Sequence, residues 1–435
     1  MQKLLLKTLL VVLVISTTVS FQEVLGAEQD QSDKELQSSG NLFNSKLTGD
    51  WYGQRTKLAN DGITLDIDMI QTFQGVLDGG LESDWKYGGS LDYWLKLDFQ
   101  KLGLWPGAFV ELRAETQFGE FINSDTGSIL ATNTDGFFPL PNQHKTTLSH
   151  VVFTQFLSES FAVFFGKIDT LDGDNNHFAG ARGKENFMNQ NFVINPVTLR
   201  TSPYSSLGAG AVFFFPNAAH KNPATLAISV LGADGQPDTA GWDDDFENGE
   251  VYAIEYSQPT RFFDLPGNQL FGATYSNKDF TALDQDRRTI LSSLLGFGTL
   301  PKEEGSWCGY YNFSQYLVTE EDDETQGFGL FGRYGIADKE TSPIEAFYSI
   351  GLGGKGTIEG RDNDTWGIGY YYIRLSDELP SALKSITEDP QGFEVFYNIE
   401  VSPSVHITPD LQIVNPARSN FSTAVIAGCR VKIDF

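Results

Sequence analysis

Much of what marks an enzyme or a nucleic-acid binder is missing from this chain. Its 435 residues include two cysteines and five histidines. No CxxC pair or His/Cys spacing suggests a metal site. Basic residues are scarce, 30 Lys and Arg against 57 Asp and Glu, for a formal net charge of −27. Acidity of that size argues against nucleic acid as a partner. Past the N-terminal segment, no run reaches the ~18 apolar residues that suggest a membrane-crossing helix. No nucleophile elbow is present, and the bare Ser149-His150 pair is of a kind common by chance. The residues therefore nominate no catalytic group, no metal and no cofactor. Aromatics and glycine are plentiful: Phe 34, Tyr 16, Trp 7 and Gly 44. In an acidic chain of mean hydropathy −0.23, they fit an all-β transmembrane antiparallel barrel, whose inward face meets water and dilutes its hydropathy.

Both ends of the chain agree with export to an outer membrane. Lys3 and Lys7 precede an unbroken apolar run from Leu9 to Ile15, with small residues at Gly26 and Ala27. This pattern predicts a signal peptide over 1–27, with export through the periplasm. The segment carries Lys3, Lys7 and Glu23, so its removal takes the charge from −27 to −28. No cysteine follows the run, which argues against a lipoprotein anchor. Residues 28–47 read as a polar periplasmic leader and 48–435 as a single barrel domain. A short helix is expected over 50–62, with Asp50 as N-cap and Gly62 as its stop. At the other end Phe435, Ile433, Val431 and Cys429 alternate with Asp434, Lys432, Arg430 and Gly428. That is the period of a strand with one face in lipid and one in water.

The same alternation recurs along the chain. In 91–100, Leu91, Tyr93, Leu95, Leu97 and Phe99 alternate with Asp92, Trp94, Lys96 and Asp98. Further strands are expected at 63–74, 107–118, 148–157, 161–168, 204–215, 224–232, 250–257 and 269–276. The rest are expected at 308–318, 327–335, 344–353, 365–375, 392–402, 405–414 and 423–435. They number 16, an even count that leaves both ends of the chain on the periplasmic side. Shorter connections, among them 258–268 and 403–404, alternate with longer ones, among them 75–90, 119–147 and 169–203. Long connections belong on the outer side of such a barrel and short ones on the periplasmic side. Cys308 and Cys429 lie 121 positions apart. They could bridge, although Cys429 has the outward phase of a lone lipid-facing thiol.

The inward phase supplies the candidate pore-lining residues. They are Asp68, Trp94, Lys96, Glu111, Arg113 and Glu115 on the first three strands, with Glu400, Gln412 and Arg430 on the last three. Asn312, Tyr316, Glu394 and Asp410 share that phase. Sugars offer hydroxyls and apolar ring faces, so a selective pore needs donors, acceptors and an aromatic to stack on. Arg113 lies between two glutamates, and Trp94 is a large aromatic on the wet face. The charged set could instead be a generic solvated wall with mutual ion pairing, and Trp94 could pack under a loop or against the N-terminal helix. The connection 169–203 carries Asp172, His177 and Arg182. It either folds inward to narrow the channel or stays outside as a solvated loop. Asp172-Gly173-Asp174-Asn175-Asn176 resembles a calcium loop but has Gly183 at its twelfth position, and reads as a turn.

At this point a family likeness is apparent. It runs through Gly53-Gln54-Arg55-Thr56-Lys57-Leu58 and Asp61-Gly62-Ile63-Thr64, then Phe165-Gly166-Lys167-Ile168-Asp169 and Phe187-Met188-Asn189. It is densest at Gly327-Phe328-Gly329-Leu330-Phe331, Gly360-Arg361-Asp362-Asn363-Asp364-Thr365-Trp366-Gly367-Ile368-Gly369, Pro409-Asp410-Leu411-Gln412 and Asn415-Pro416. In this order and spacing the chain resembles the OprB-type carbohydrate-selective porins of Gram-negative outer membranes. The resemblance implies a 16-stranded barrel, passive uptake of small sugars, no catalysis and no cofactor. It also implies an N-terminal helix packed at the periplasmic mouth. The family's constriction is often balanced or basic, whereas this chain is acidic, so a general or cation-preferring porin is the alternative. Outer-membrane lipid is an expected partner, and a homo-oligomer such as a trimer is left open. By analogy with outer-membrane proteins generally, Phe435 is expected to be the signal read by the barrel-insertion machinery. Deleting Phe435 should therefore lower the yield of inserted barrel, seen as loss of the heat-modifiable band, while channels that do insert keep their conductance.

Overall fold

The computed structural model describes residues 46–141, 143–217, 220–295 and 299–435. The segment read as a signal peptide, 1–27, and nearly all of the expected leader, 28–47, lie outside the described residues. The remainder closes into one antiparallel ring of sixteen strands, each paired with its sequence neighbours and the first with the last. They are β1 (Ile63–Gly80), β2 (Trp85–Asp98), β3 (Ala108–Gly119), β4 (Thr146–Ser158), β5 (Phe161–Asp169), β6 (Ser205–Phe215), β7 (Ala224–Gly232) and β8 (Glu250–Phe262). The circuit continues with β9 (Leu265–Thr281), β10 (Lys302–Thr319), β11 (Gly327–Ala337), β12 (Ile344–Lys355), β13 (Thr365–Leu375), β14 (Gln391–Ser402), β15 (Val405–Asn415) and β16 (Ser422–Asp434). Closure leaves no unpaired strand edge, the condition for crossing a bilayer with strands. The closing register sets Asp68 opposite Asp434 and Phe73 opposite Cys429.

Side-chain phase follows the alternation read from the sequence. The outward set includes Phe73, Tyr93, Phe165, Phe271, Tyr348, Ile350, Phe393 and Leu411, all more than a third exposed. Large apolar side chains open to the surroundings on every side of a ring form a lipid-facing belt. Cys429 lies on the same face, and neither cysteine is bonded to the other. Cys308 is instead inside the barrel, beside the hydroxyls of Thr274 and Thr201.

Two connections differ from expectation. The long loop expected at 75–90 is only 81–84, because β1 and β2 pair up to Gly75 opposite Trp85. Val76 continues the inward phase and is 1% exposed, inside the barrel. The turn expected at 258–268 is only 263–264, with Phe263 and Asp264 both at positive φ. Pro259 and Pro266 read as strand breakers, yet both sit within paired strands.

The N-terminal helix is shorter than its predicted span, a 3-10 turn at Trp51–Gly53 followed by α1 (Gln54–Asn60). Gly53 takes the N-cap position of α1, while Asp50 takes that of the preceding 3-10 turn, as expected, though without a side-chain bond to that turn. Its carboxylate nonetheless accepts the Thr56 N–H at 2.8 Å and the Thr56 hydroxyl at 2.9 Å. Gly62 ends the segment at φ +93°, where a Cβ would also lie 2.7 Å from the Asp98 carbonyl. This segment docks against the end of β16. Arg55 donates to the Phe435 main-chain oxygen at 2.9 Å, and Leu47 N–H donates to the Asp434 carbonyl at 2.7 Å. Replacing Arg55 by Ala should leave the barrel closed but release this segment, raising its hydrogen exchange relative to the strands.

Candidate functional site

Asp169 and Ser205 are paired across neighbouring strands, so residues 170–204 leave and return at adjacent points of the wall. The loop does not spread over the outside. Phe187, Met188, Phe192 and Val197 have no exposed surface, because the loop folds down into the lumen. Asn189 and Asn195 cap its two turns, Gln190–Val193 and Pro196–Arg200, through their side-chain oxygens. The wall meets its aromatics with glycines. A Cβ on Gly369 would lie 2.5 Å from the Phe192 ring, and one on Gly353 would lie 2.6 Å from Phe178. Phe187 approaches Gly367 just as closely, at 2.7 Å. These rings, with Phe331, Phe347, Tyr371 and Phe396 of the strands, form the main apolar core. That core sits inside the barrel.

Buried cations fasten the loop at three places. Arg333 of β11 donates to the Asp174 carboxylate at 2.8 Å and to the carbonyls of Asp174, Ala179 and Phe192 at 2.7–2.9 Å. Arg430 of β16 donates to the carbonyls of Gly183 at 2.6 Å and Asn186 at 2.9 Å. Arg113 of β3 pairs with Glu115 at 2.6 Å, Asp169 at 3.1 Å and Asp92 at 3.2 Å. Beside it, Arg182 of the loop pairs with Asp172 at 2.7 Å and Asp169 at 2.9 Å. Lys184 pairs with Asp92 at 2.6 Å and with Asp135 at 3.3 Å. Burial opposes the charge on Lys184, but Asp92 and Asp135 outweigh it and hold the ammonium above its usual range. Asp135 belongs to the connection 120–145, which also folds inward. Thr132, Thr134 and Asp135 are buried there, and Thr134 bonds the Met188 carbonyl.

The family model described as carbohydrate-selective porin, OprB family, matches residues 82–435. The chain belongs to the OprB family of carbohydrate-selective porins. It is 20% identical over 428 residues to Porin B of Pseudomonas aeruginosa, covering 90% of this chain and 92% of that protein. The high-pH structure of Pseudomonas putida OprB superposes with a TM-score of 0.77 at 19% identity, over 90% of this chain and 99% of that one. The low-pH structure of the same protein gives 0.56 at 17% identity, over 90% and 98%. The chain is thus a porin of the Gram-negative outer membrane.

The residues nominated from sequence divide by exposure. Trp94, Lys96 and Glu111 of β2 and β3 remain partly exposed inside the barrel, with Lys96 and Glu111 paired at 3.5 Å. Arg113 lies 5.0 Å and the Lys96 ammonium 5.5 Å from the Trp94 ring centre. Asp172 and Arg182 face this group from the loop with 19% and 12% of their side chains exposed. Asp68 lies at the periplasmic mouth opposite Asp434, while His177 and Glu400 border the periplasmic vestibule. Four nominations need correction as sugar contacts, because the in-folded connections cover them. Arg113 and Gln412 are 0% exposed, Arg430 1% and Glu115 2%. They anchor the loops: Gln412, for example, binds the Thr132 carbonyl at 2.9 Å and the Asn189 amide at 3.0 Å.

Others took structural places. Asn312 binds Asp174 and Asn176, and Glu394 accepts the N–H groups of Met188 and Asn189. Asp174, in the segment resembling a calcium loop, is engaged by Arg333. Ser149 donates to Glu115, and His150 accepts the Asp169 N–H. Arg361 pairs with Asp364 at 2.6 Å in the turn between β12 and β13. Arg333, Asp92, Gly353 and Tyr204, whose hydroxyl donates to Glu115 and Asp169, were not singled out, and Gly367 and Gly369 entered only as part of the family run. A second sequence signal for the glycines is their repetition at alternate positions, Gly351-x-Gly353 and Gly367-x-Gly369. Replacing Arg333 by Met would strand the Asp174 carboxylate, and breaking such a buried pair costs about 3–5 kcal/mol. The expected outcome is a folded barrel with a loosened loop, recorded as noisier and larger single-channel currents than wild type.

Proposed function

We propose that this barrel lets small neutral carbohydrates, mono- or short oligosaccharides, diffuse passively across the outer membrane, with no covalent step. The observation that carries this reading is the partly exposed face around Trp94. An indole offers a sugar its apolar stacking partner, and the Lys96–Glu111 and Arg182–Asp172 pairs set donors and acceptors around it. Arg113, Glu115, Gln412 and Arg430 act by holding the loop in place. Asp68 belongs to the periplasmic mouth, where Lys432 and Asp434 pair at 3.1 Å.

A second reading has its own observation. Around Arg113 the carboxylates of Asp92, Glu115, Asp135, Asp169 and Asp172 face the cations Arg113, Arg182 and Lys184. The excess of carboxylates favours cations over anions. The exposed apolar belt supports lipid as a partner, and a homo-oligomer, the trimer included, would cover part of it. For the insertion machinery, the support is that Phe435 continues β16 and bonds the Ile67 carbonyl through its N–H.

Reconstituted protein should conduct ions, and sugar should reduce that current saturably. Unreduced current at high sugar concentration would leave a general diffusion pore. Trp94→Ala should raise the half-blocking sugar concentration roughly 2- to 10-fold, since aromatic stacking contributes about 0.5–1.5 kcal/mol. In a salt gradient the reversal potential should show cation preference, reduced by Asp172→Asn.

A further inference from the structure

On the periplasmic side of the in-folded loop, the vestibule bordered by His177 and Glu400 is a cavity of about 340 Å³. Its ceiling is the underside of the loop, where His177 and Glu185 are exposed. Its wall comes from the inward phase of β12–β16, with Lys355, Glu400, His406 and Lys432 contributing charge and hydrogen-bonding groups. The volume lies within the range of small-molecule sites.

Two observations show unused binding capacity. Thr365 Oγ1, Asn398 Oδ1 and His406 Nδ1 are buried polar atoms with no hydrogen-bond partner in the protein. All three belong to residues lining this one cavity, on the adjacent strands β13, β14 and β15. An unsatisfied buried polar atom costs free energy, and each of these has almost no surface of its own open to the cavity, so it meets a solute there only by a small turn of its side chain. The second observation concerns charge. Lys355, Lys432, Glu185 and Glu400 sum to zero in a chain of −27. Lys432 takes up Glu185. Lys355 has no ion pair among the described residues, and Glu400 is held only by the Asn363 amide at 3.2 Å. A neutral surface with free donors and acceptors suits a neutral, hydroxyl-rich solute better than an ion.

We propose that this cavity is a second sugar station, at the periplasmic exit, separate from the Trp94 surface. The proposal rests on the carbohydrate reading above. Trp366 has the outward phase of β13, so no indole stacks across the cavity and the station is the weaker of the two.

The test uses the full-length porin inserted with known orientation in a planar bilayer, with glucose or maltose added to one side at a time. Lys355→Met combined with Glu400→Gln keeps the net charge and alters two partly exposed side chains. It should raise the half-blocking concentration from the periplasmic side 3- to 10-fold, with less than a twofold change from the outer side. Thr365→Val removes a hydroxyl that has no partner in the protein. It should weaken periplasmic block in the same direction while the folded band survives heating as in wild type. Block unchanged from both sides in these variants would overturn the exit station alone. Equal weakening from both sides would overturn it as well, by merging it with the Trp94 surface. No block of the wild type from either side would remove the carbohydrate reading itself.

Discussion

A ring of sixteen strands is too wide for its own inward side chains to fill, and the grip of Arg333 on residues 170–204 turns the open tube into a shaped lumen. Its guanidinium reaches one carboxylate and four carbonyls of the loop at once. Only a planar fork of donors can do that, so lysine would not be an equivalent replacement. Buried ion pairs are poor evidence for net stability, because desolvation offsets most of their attraction. Their effect here is geometric. Arg333, Arg430 and Arg113 each bind acceptors of the loop or its root, and together they define where the loop stops descending.

Once the loop is in place, hydrophobicity does the filling. Phe178, Phe187 and Phe192 settle against wall positions where a Cβ would collide with them. The apolar core that a soluble protein would form between layers is here enclosed by the barrel, and the outer apolar face is left for lipid. The two faces of one strand therefore answer to different solvents. β14 shows it in six residues: Phe393 and Val395 look outward, while Glu394 and Phe396 look inward to the loop and Asn398 to the vestibule.

That contrast explains why the strands were legible and the site was not. A period of two with lipid on one side and water on the other is a strong local signal, and all sixteen strands stand where the alternation placed them. Their ends were less legible, because Gly79, Gly80, Pro259 and Pro266 read as breakers while the neighbouring strands still supplied pairing partners. For Arg113 the phase was right and the expected exposure was not. Alternation tells which face a side chain takes but not what comes to cover it. The cover here is the loop root at Asp169 and the connection carrying Asp135, 56 and 22 positions away. Asp172, Arg182 and Lys184 likewise look like solvated loop charges until their partners on other strands are known.

Mutual saturation of these charges bears on what the lumen can select. An unpaired arginine facing the channel would retain anions, and an unpaired carboxylate would retain cations. With Arg113 paired to four carboxylates and Arg333 bonded to five loop acceptors, neither remains free to hold a passing ion. What is left near Trp94 is partial hydrogen-bonding capacity from groups already paired, such as Lys96 and Glu111. Such groups bind hydroxyls weakly and release them, which conduction requires. The carboxylate excess around Arg113 adds a field that favours cations but exerts little force on a neutral solute. Cation preference and carbohydrate passage are therefore compatible in this lumen, because one depends on its net charge and the other on its few uncovered contacts.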